Sequence, residues 1–459
     1  MKKFLSLGLT TALVVSTLAG CGGSKTAATT AAATTAAATT AAATTAAAAE
    51  TTKAPAAATE ITWWAFPTFA QNDGAPAGTY EAELIAAFEA KNPDVKVKLE
   101  TIDFTSGPEK ITAAIEAGTI CDVLFDAPGR IISYAKSGKL VAINDMFDDA
   151  FEKDVNNEAL LKSCMAGSDY YMYPLSSAAF CMAVNKAAVE KAGAMDLLNL
   201  EGDRAWTTEN FEKLLEKLKA AGYQGGTVFC SGQGGDQGTR AFVSNLYSSS
   251  ITDPELSKYT INDEGGVKAM EKVKEWADKE YMLNGSSYNG GEDVDLFCQN
   301  TTAFTTLWSP GLELGRKAQL ADAGIEAIAL PFPSEDGVPA LEYLVNGFCI
   351  FDHKDDARAA ASKKFVDFIC NDAEWGPKDV KQTNVFPVRT SFGNLYPGDE
   401  NMAFYASLNK YYSTYYNTIN GFAEMRTYWF PMLQSVLNGE AEPKAALDDF
   451  VTKANGSIK

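Results

Sequence analysis

Residues able to do acid–base or metal chemistry are scarce in one respect and abundant in another. The chain holds a single histidine, His353, set in the polar run Asp352-His353-Lys354-Asp355-Asp356. A Ser-His-Asp triad, a His-rich metal site or imidazole proton transfer would each depend on that one side chain. The run reads instead as a solvated loop, and its spacing is not that of a calcium loop. Carboxylates number 59, but no motif singles out a pair at the fixed separation that glycoside hydrolysis needs. The Gly-rich stretch around Gln233, Asp236, Gln237 and Arg240 lacks both the dinucleotide fingerprint and the phosphate-loop ending. It reads as a polar loop suited to specificity. No catalytic residue, metal or cofactor is expected.

Eight cysteines occur, and Cys21 has its own context. Met1-Lys2-Lys3 is basic, Phe4 to Thr17 is apolar but short, and Leu18-Ala19-Gly20-Cys21 ends the run in small residues. This is a secretory signal over 1–20 with the lipobox of a bacterial lipoprotein, in which the Cys21 thiol takes a diacylglyceryl group. Cys121, Cys164, Cys181, Cys230, Cys298, Cys349 and Cys370 remain, an odd set without close spacing. They are expected as small buried hydrophobes rather than bridges.

From Thr26 to Ala49 every residue is Ala or Thr. Such a segment cannot bury enough apolar area to offset the entropy of ordering, so residues 21–59 are expected to form a disordered linker holding the body off the membrane. The body, residues 60–459, carries 35 basic and 58 acidic side chains, which disfavours nucleic acid.

The elements that would position a site follow a β-α-β-α-β rhythm. Glu60 to Phe66 reads as a strand, Tyr80 to Ala90 as a helix stopped by Asn92-Pro93, and Val95, Val97 and Leu99 as alternate positions of a half-exposed strand. Pro108 to Gly118 is helical, and Val123-Leu124-Phe125 is a short buried strand. Further on, Trp206 to Ala221 and Ala357 to Cys370 read as helices, 325–333 and 343–351 as strands, and the tail from Met402 as helical. An α/β fold follows, and in such sheets ligands bind beyond the C-terminal strand ends, here just after Trp64 and Phe125.

With these elements in place the chain resembles the family 1 extracellular solute-binding proteins of ABC importers, the maltose-binding group. The resemblance rests on Ile61-Thr62-Trp63-Trp64 and on Asn92-Pro93-Asp94-Val95-Lys96-Val97. Its most specific block is Cys121-Asp122-Val123-Leu124-Phe125-Asp126-Ala127-Pro128-Gly129-Arg130, continuing through Tyr134-Ala135-Lys136-Ser137-Gly138-Lys139-Leu140. Tyr173-Pro174-Leu175, Asn185-Lys186 and Tyr428-Trp429-Phe430 through Ala446-Leu447 complete the ordered set. It implies a two-lobed, type II periplasmic-binding-protein-like fold whose discontinuous lobes are joined by hinge strands. Crossings are expected near 175–182, 305–312 and 350–356, giving one lobe of 60–177 and 311–352 and another of 178–310 and 353–459.

The function so implied is capture of a carbohydrate, an oligosaccharide, in the interlobe cleft and its delivery to the transmembrane subunits of an ABC permease. A monomer held to the outer face of the cell membrane by lipid alone is expected, without enzymatic activity. A receptor for an anionic polyol such as a glycerol phosphate is the alternative, and a secreted glycoside hydrolase stands behind it. A sugar offers an apolar face and a rim of hydroxyls, so its site needs aromatic planes and fixed polar groups. Trp64 and Phe66 at a strand end, Trp308 near a crossing, and Trp429 at the family's C-terminal tryptophan are the candidate planes. Asp126 stands where the maltose-binding group has a tryptophan, Arg130 matches the family's arginine, and Asn346 follows a strand. Arg389 is a further cation for the cleft or a surface pair, and Tyr411, Tyr412, Tyr415 and Tyr416 read as a packed helical stripe.

Overall fold

The computed structural model describes residues 58–69, 75–103, 106–155 and 157–458. The signal segment, Cys21 and almost all of the Ala/Thr linker lie outside these residues; Thr59, assigned above to the linker, is the first residue of a strand.

Two sheets organise the chain. In the six-stranded one the order across the sheet is Phe386–Pro387, Tyr173–Ala179, Tyr343–Ile350, Val123–Asp126, Thr59–Ala65 and Val95–Thr101. The last three pair in parallel, linked through helices Thr79–Lys91 and Gly107–Ala117, whereas Tyr343–Ile350 runs antiparallel to both neighbours. Ile61, Trp63, Val123 and Phe125 are fully or almost fully buried because helices cover the sheet. Trp63 meets Phe69, Phe348 and Phe365 at 5.4–6.1 Å between ring centroids. The second sheet has three strands, with Cys181–Asn185 between Phe304–Trp308 and Ala327–Leu330. Its core gathers Phe211, Phe242, Trp276 and Phe304 around one another.

Each sheet has its own hydrophobic core, so the molecule has two lobes and the chain passes between them. The first passage is abrupt: Ala179 closes a strand of the large sheet, and Cys181 opens the central strand of the small one. The second lies between Leu330 and Tyr343, not at 305–312. Residues 311–330 stay in the second lobe, where Leu320, Ile325 and Ile328 join its core. The third lies between Val388 and Phe404, not at 350–356. Helix Asp356–Asn371 lays Phe365, Val366 and Ile369 on the large sheet, in the first lobe. An apolar helix face is legible in a sequence, but which of two apolar sheets it covers is not.

The tyrosine-rich segment is no helical stripe. Short 3₁₀ turns, Leu408–Tyr411 and Tyr416–Thr418, flank an extended stretch that runs along the lobe boundary. Leu341 donates its N–H to the Tyr411 carbonyl at 2.8 Å, and Ser413 N–H donates back to Leu341 at 3.0 Å. Tyr412 stacks flat on Tyr343, with centroids 4.0 Å apart. Among the described residues all seven cysteines are free and buried, no helix is long and apolar enough to cross a membrane, and no group of three metal-ligating side chains converges.

Candidate functional site

A cavity of about 740 Å³ opens between the lobes. One wall belongs to the first lobe. Strand Val123–Asp126 ends there, and Pro128 at the first helical position starts helix Pro128–Lys136, whose Gly129, Arg130, Ser133, Tyr134 and Lys136 face the space. The opposite wall is the segment Asn417 to Arg426, which enters helix Phe422–Leu437 through Gly421, in the left-handed region at φ 74°, while the adjoining Tyr415 packs into the first-lobe core. A Cβ on Gly129 would stand 3.4 Å from the Asn417 carbonyl oxygen, so the two walls nearly touch there.

Arg130 is held by Asp126 and Phe66. Its Nε and Nη2 donate to the two oxygens of Asp126 at 2.6 and 2.5 Å, and its guanidinium lies 5.4 Å from the Phe66 ring centre. Partial burial works against the Arg130 charge, but the bidentate bond to Asp126 outweighs it and raises the pKa. Asp126 is itself almost sealed, with 3% of its side chain exposed, while 42% of Arg130 remains accessible. The pair therefore presents donors toward the cavity and hides its carboxylate beneath them.

Lys136 spans the gap. Its Nζ donates to the Thr418 carbonyl at 2.5 Å and to Asn420 Oδ1 at 2.8 Å, both neutral acceptors. Partial burial lowers its pKa. Arg426, on the far wall, donates to Asp236 at 2.7 and 2.9 Å and to the Gln233 carbonyl at 2.6 Å. Tyr134, Tyr415 and Phe422 supply the aromatic surface, and the buried Oδ1 of Asn417 accepts no hydrogen bond among the described residues. Glu424 is the single carboxylate among the described residues of the lining.

Of the seven residues singled out as ligand contacts, Arg130 alone lines this cavity, with Asp126 behind it and Phe66 below. Phe66 is 1% exposed and packs against Gly107, where a Cβ would come within 2.8 Å of its ring. Trp64 is buried beneath Lys110, whose Nζ lies 4.6 Å from the indole centre. Trp308 and Trp429 are fully buried in the second lobe. Trp308 meets Phe297 edge-on and donates to Glu313 Oε2 at 3.3 Å; Trp429 meets Phe450 edge-on and donates to Thr239 Oγ1 at 3.3 Å. Indoles of that size carry more stabilisation in a core than at a wet rim. Asn346 faces Ser176 inside the large sheet at 3.5 Å.

The polar Gly-rich loop also resolves differently: Gln237–Leu246 is a helix, and Arg240 is sealed within it. Arg389 pairs with Asp154 at 2.6 Å instead of reaching the cavity. His353 is half-buried rather than free in a solvated loop: its Nε2 lies 3.1 Å from the Cys121 carbonyl oxygen and 3.7 Å from Asp122 Oδ1. Lys136, Tyr134, Asn417, Phe422 and Arg426 were not anticipated as contacts. Lys136 and Tyr134 stand inside the Tyr134-Ala135-Lys136-Ser137-Gly138 block that carries the family resemblance.

This arrangement of two lobes around a polar, partly aromatic cavity has relatives. The maltooligosaccharide ABC transporter solute-binding lipoprotein of Streptococcus pneumoniae is 24% identical over 404 residues, covering 83% of this chain and 86% of that protein. Among solved structures, the cyclic alpha-maltosyl-1,6-maltose binding protein of Arthrobacter globiformis superposes with a TM-score of 0.71 at 19% identity, covering 88% of this chain and 99% of the other. The GacH receptor of Streptomyces glaucescens gives 0.67 at 17% identity, with 87% and 98% covered. At such identities the shared property is the two-lobed, type II periplasmic-binding-protein fold. The family profile for bacterial extracellular solute-binding protein matches residues 71–374, which takes in the helix of Arg130 and Lys136 and the first two crossings, and the chain belongs to that family.

Proposed function

We propose that this protein is the solute-capturing subunit of an ABC importer and that it takes an oligosaccharide into the cavity between its lobes and hands it to a membrane permease. The observation that carries the reading is the lining of that cavity. Donors from Arg130 and Lys136, the open acceptor of Asn417 and the rings of Tyr134, Tyr415 and Phe422 match the hydroxyl rim and apolar faces of a sugar. The volume of about 740 Å³ suits several rings rather than an ion. The relatives named for maltooligosaccharide and for cyclic alpha-maltosyl-1,6-maltose lend support from outside the chain.

Hydrolysis fits the lining poorly. Asp126 and Asp236 are held by Arg130 and Arg426, which leaves Glu424 without a second free carboxylate among the described residues of the lining to complete a glycosidase pair. Capture by hinge closure requires no such pair. The proposal includes secretion and lipid attachment at Cys21, which would keep the receptor close to its permease; partition of the mature protein into detergent, abolished by Cys21→Ser, tests that part.

The direct test is calorimetry against linear maltooligosaccharides, cyclic glucans and, as an anionic arm, glycerol 3-phosphate, with small-angle scattering on the same samples. Binding of a neutral oligosaccharide with a decrease in radius of gyration is the expected outcome. Binding of glycerol 3-phosphate alone would replace the sugar reading with the anionic one, and release of shortened sugars would replace capture with catalysis.

A further inference from the structure

Where the second lobe meets the crossings and the cavity wall, a buried charge cluster stands that sugar capture does not by itself explain. Every residue of helix Gln237–Leu246 from Gly238 onward is buried, and in its midst stands Arg240, 1% exposed. Arg240 Nη1 makes a charge contact with Asp236 Oδ2 at 2.5 Å, and Nη2 lies 3.5 Å from Glu342 Oε2. Its Nε donates to the Tyr416 hydroxyl at 2.5 Å, and that hydroxyl in turn donates to Glu342 Oε1. Asp236 is shared with Arg426 of the cavity wall. The guanidinium also lies 5.5 Å from the ring centres of both Tyr416 and Phe422.

The positions of these partners matter more than their number. Glu342 is the residue before strand Tyr343–Ile350, at the second crossing, and its carbonyl accepts the N–H of Phe180, the residue of the first crossing. Tyr416 sits between Tyr415 and Asn417, both in the cavity wall, and Phe422 and Arg426 continue that wall. One guanidinium thus touches both crossings through Glu342 and the ligand-facing segment through Tyr416. Buried ion clusters are poor sources of stability against an apolar replacement, and their best attested use is to specify one arrangement over another.

We propose that Arg240 is a positioning residue for solute capture: by clamping Glu342 and Tyr416 together it makes hinge bending and the shape of the cavity wall a single coupled variable. The coupling concerns how any solute is gripped, and its sugar arm below rests on the oligosaccharide reading.

The test is hydrogen–deuterium exchange on the ligand-free, full-length protein carrying Tyr416→Phe, which removes only the bridging hydroxyl. Tyr396→Phe, which removes a hydroxyl bonded to the Val385 carbonyl elsewhere, serves as control. Exchange of the hinge amides Phe180 and Leu341 and of the wall amides Ile419, Phe422 and Met425 is expected to quicken together by about ten- to hundredfold, the equivalent of one hydrogen bond to a charged group. Glu342→Gln, which keeps the shape but sets an amide against Arg240, is expected to do the same, and Tyr396→Phe to leave those amides unchanged. Quickening confined to 419–425, with Phe180 and Leu341 at wild-type rates, would overturn the proposal. So would uniform quickening through both lobes, which marks a merely structural loss. Maltotetraose calorimetry separates the two readings: no binding by the wild type sinks the sugar assignment while coupled exchange still upholds the clamp.

Discussion

Lys136 offers the sharpest test of how the lobes are held. It lies in the last turn of helix Pro128–Lys136, in the first lobe, and reaches Thr418 and Asn420 across the cavity at 2.5 and 2.8 Å. Lys136→Met keeps most of the apolar stem and deletes both bonds. Lys136 is only partly buried, so each ammonium bond to a neutral oxygen is discounted below the range for well-buried charged bonds, to about 1 kcal/mol. Two such bonds, present when the walls face each other and broken when they part, bias the closed arrangement by about 2 kcal/mol, or about thirtyfold in the opening equilibrium. The variant should therefore show a larger ligand-free radius of gyration in small-angle scattering and an affinity for maltotetraose weakened by up to about thirtyfold. Raising the salt concentration should change this little, because neither acceptor carries a charge. If radius and affinity both stay at wild-type values while only the thermal midpoint falls, Lys136 braces the fold and does not set closure.

Three further outcomes follow from the structure. Trp308→Ala removes a fully buried indole and should cost about 3–5 kcal/mol of stability by chemical denaturation, while the folded fraction keeps its solute affinity; a lost affinity at unchanged stability would return Trp308 to the site. Asp293 has its pKa pushed up to about 6 by burial, against opposing hydrogen bonds from Thr305, Thr227 and Thr306. The folded protein therefore takes up this proton at higher pH than the unfolded chain, so the burial penalty, on the order of 3 kcal/mol, is complete above pH 6 and relieved as pH falls toward 4. The difference in unfolding free energy between wild type and Asp293→Asn should shift in that window, and a flat difference would refute the assignment. Finally, the seven body cysteines are buried, and burial holds thiols such as Cys164 and Cys298 up at about 12 and 11; a thiol reagent should titrate none of them before unfolding and all seven after.

Much of the first lobe could be read from residue order. Strand Thr59–Ala65, helix Thr79–Lys91, strand Val95–Thr101, helix Gly107–Ala117 and strand Val123–Asp126 follow the expected succession, because each is written in local periodicity and closed by local stop signals such as Asn92-Pro93 and Gly118. A ligand site was expected just after Phe125, because the end of a parallel strand is where an α/β sheet exposes its polar termini, and helix Pro128–Lys136 starts there beside the cavity. The tryptophans were not legible. Trp63 and Trp64 alternate sides of one strand, yet both are buried, because helix and loop cover both faces of the sheet. Trp308 and Trp429 gave no local sign that Phe297 and Phe450 would close over them. Arg240, read as part of a polar loop, is among the most deeply buried side chains, since its three partners come from positions as distant as 342 and 416.

Residue order alone determined that this chain has an α/β body and which family it belongs to, because those properties rest on short-range patterns and on ordered motifs. Tertiary structure alone decided which helices cover which sheet, where the second and third crossings fall, and which side chains reach the cavity. Those choices turn on the burial of whole apolar faces and on pairing of charges more than a hundred residues apart. Neither leaves a mark in any window of neighbouring residues.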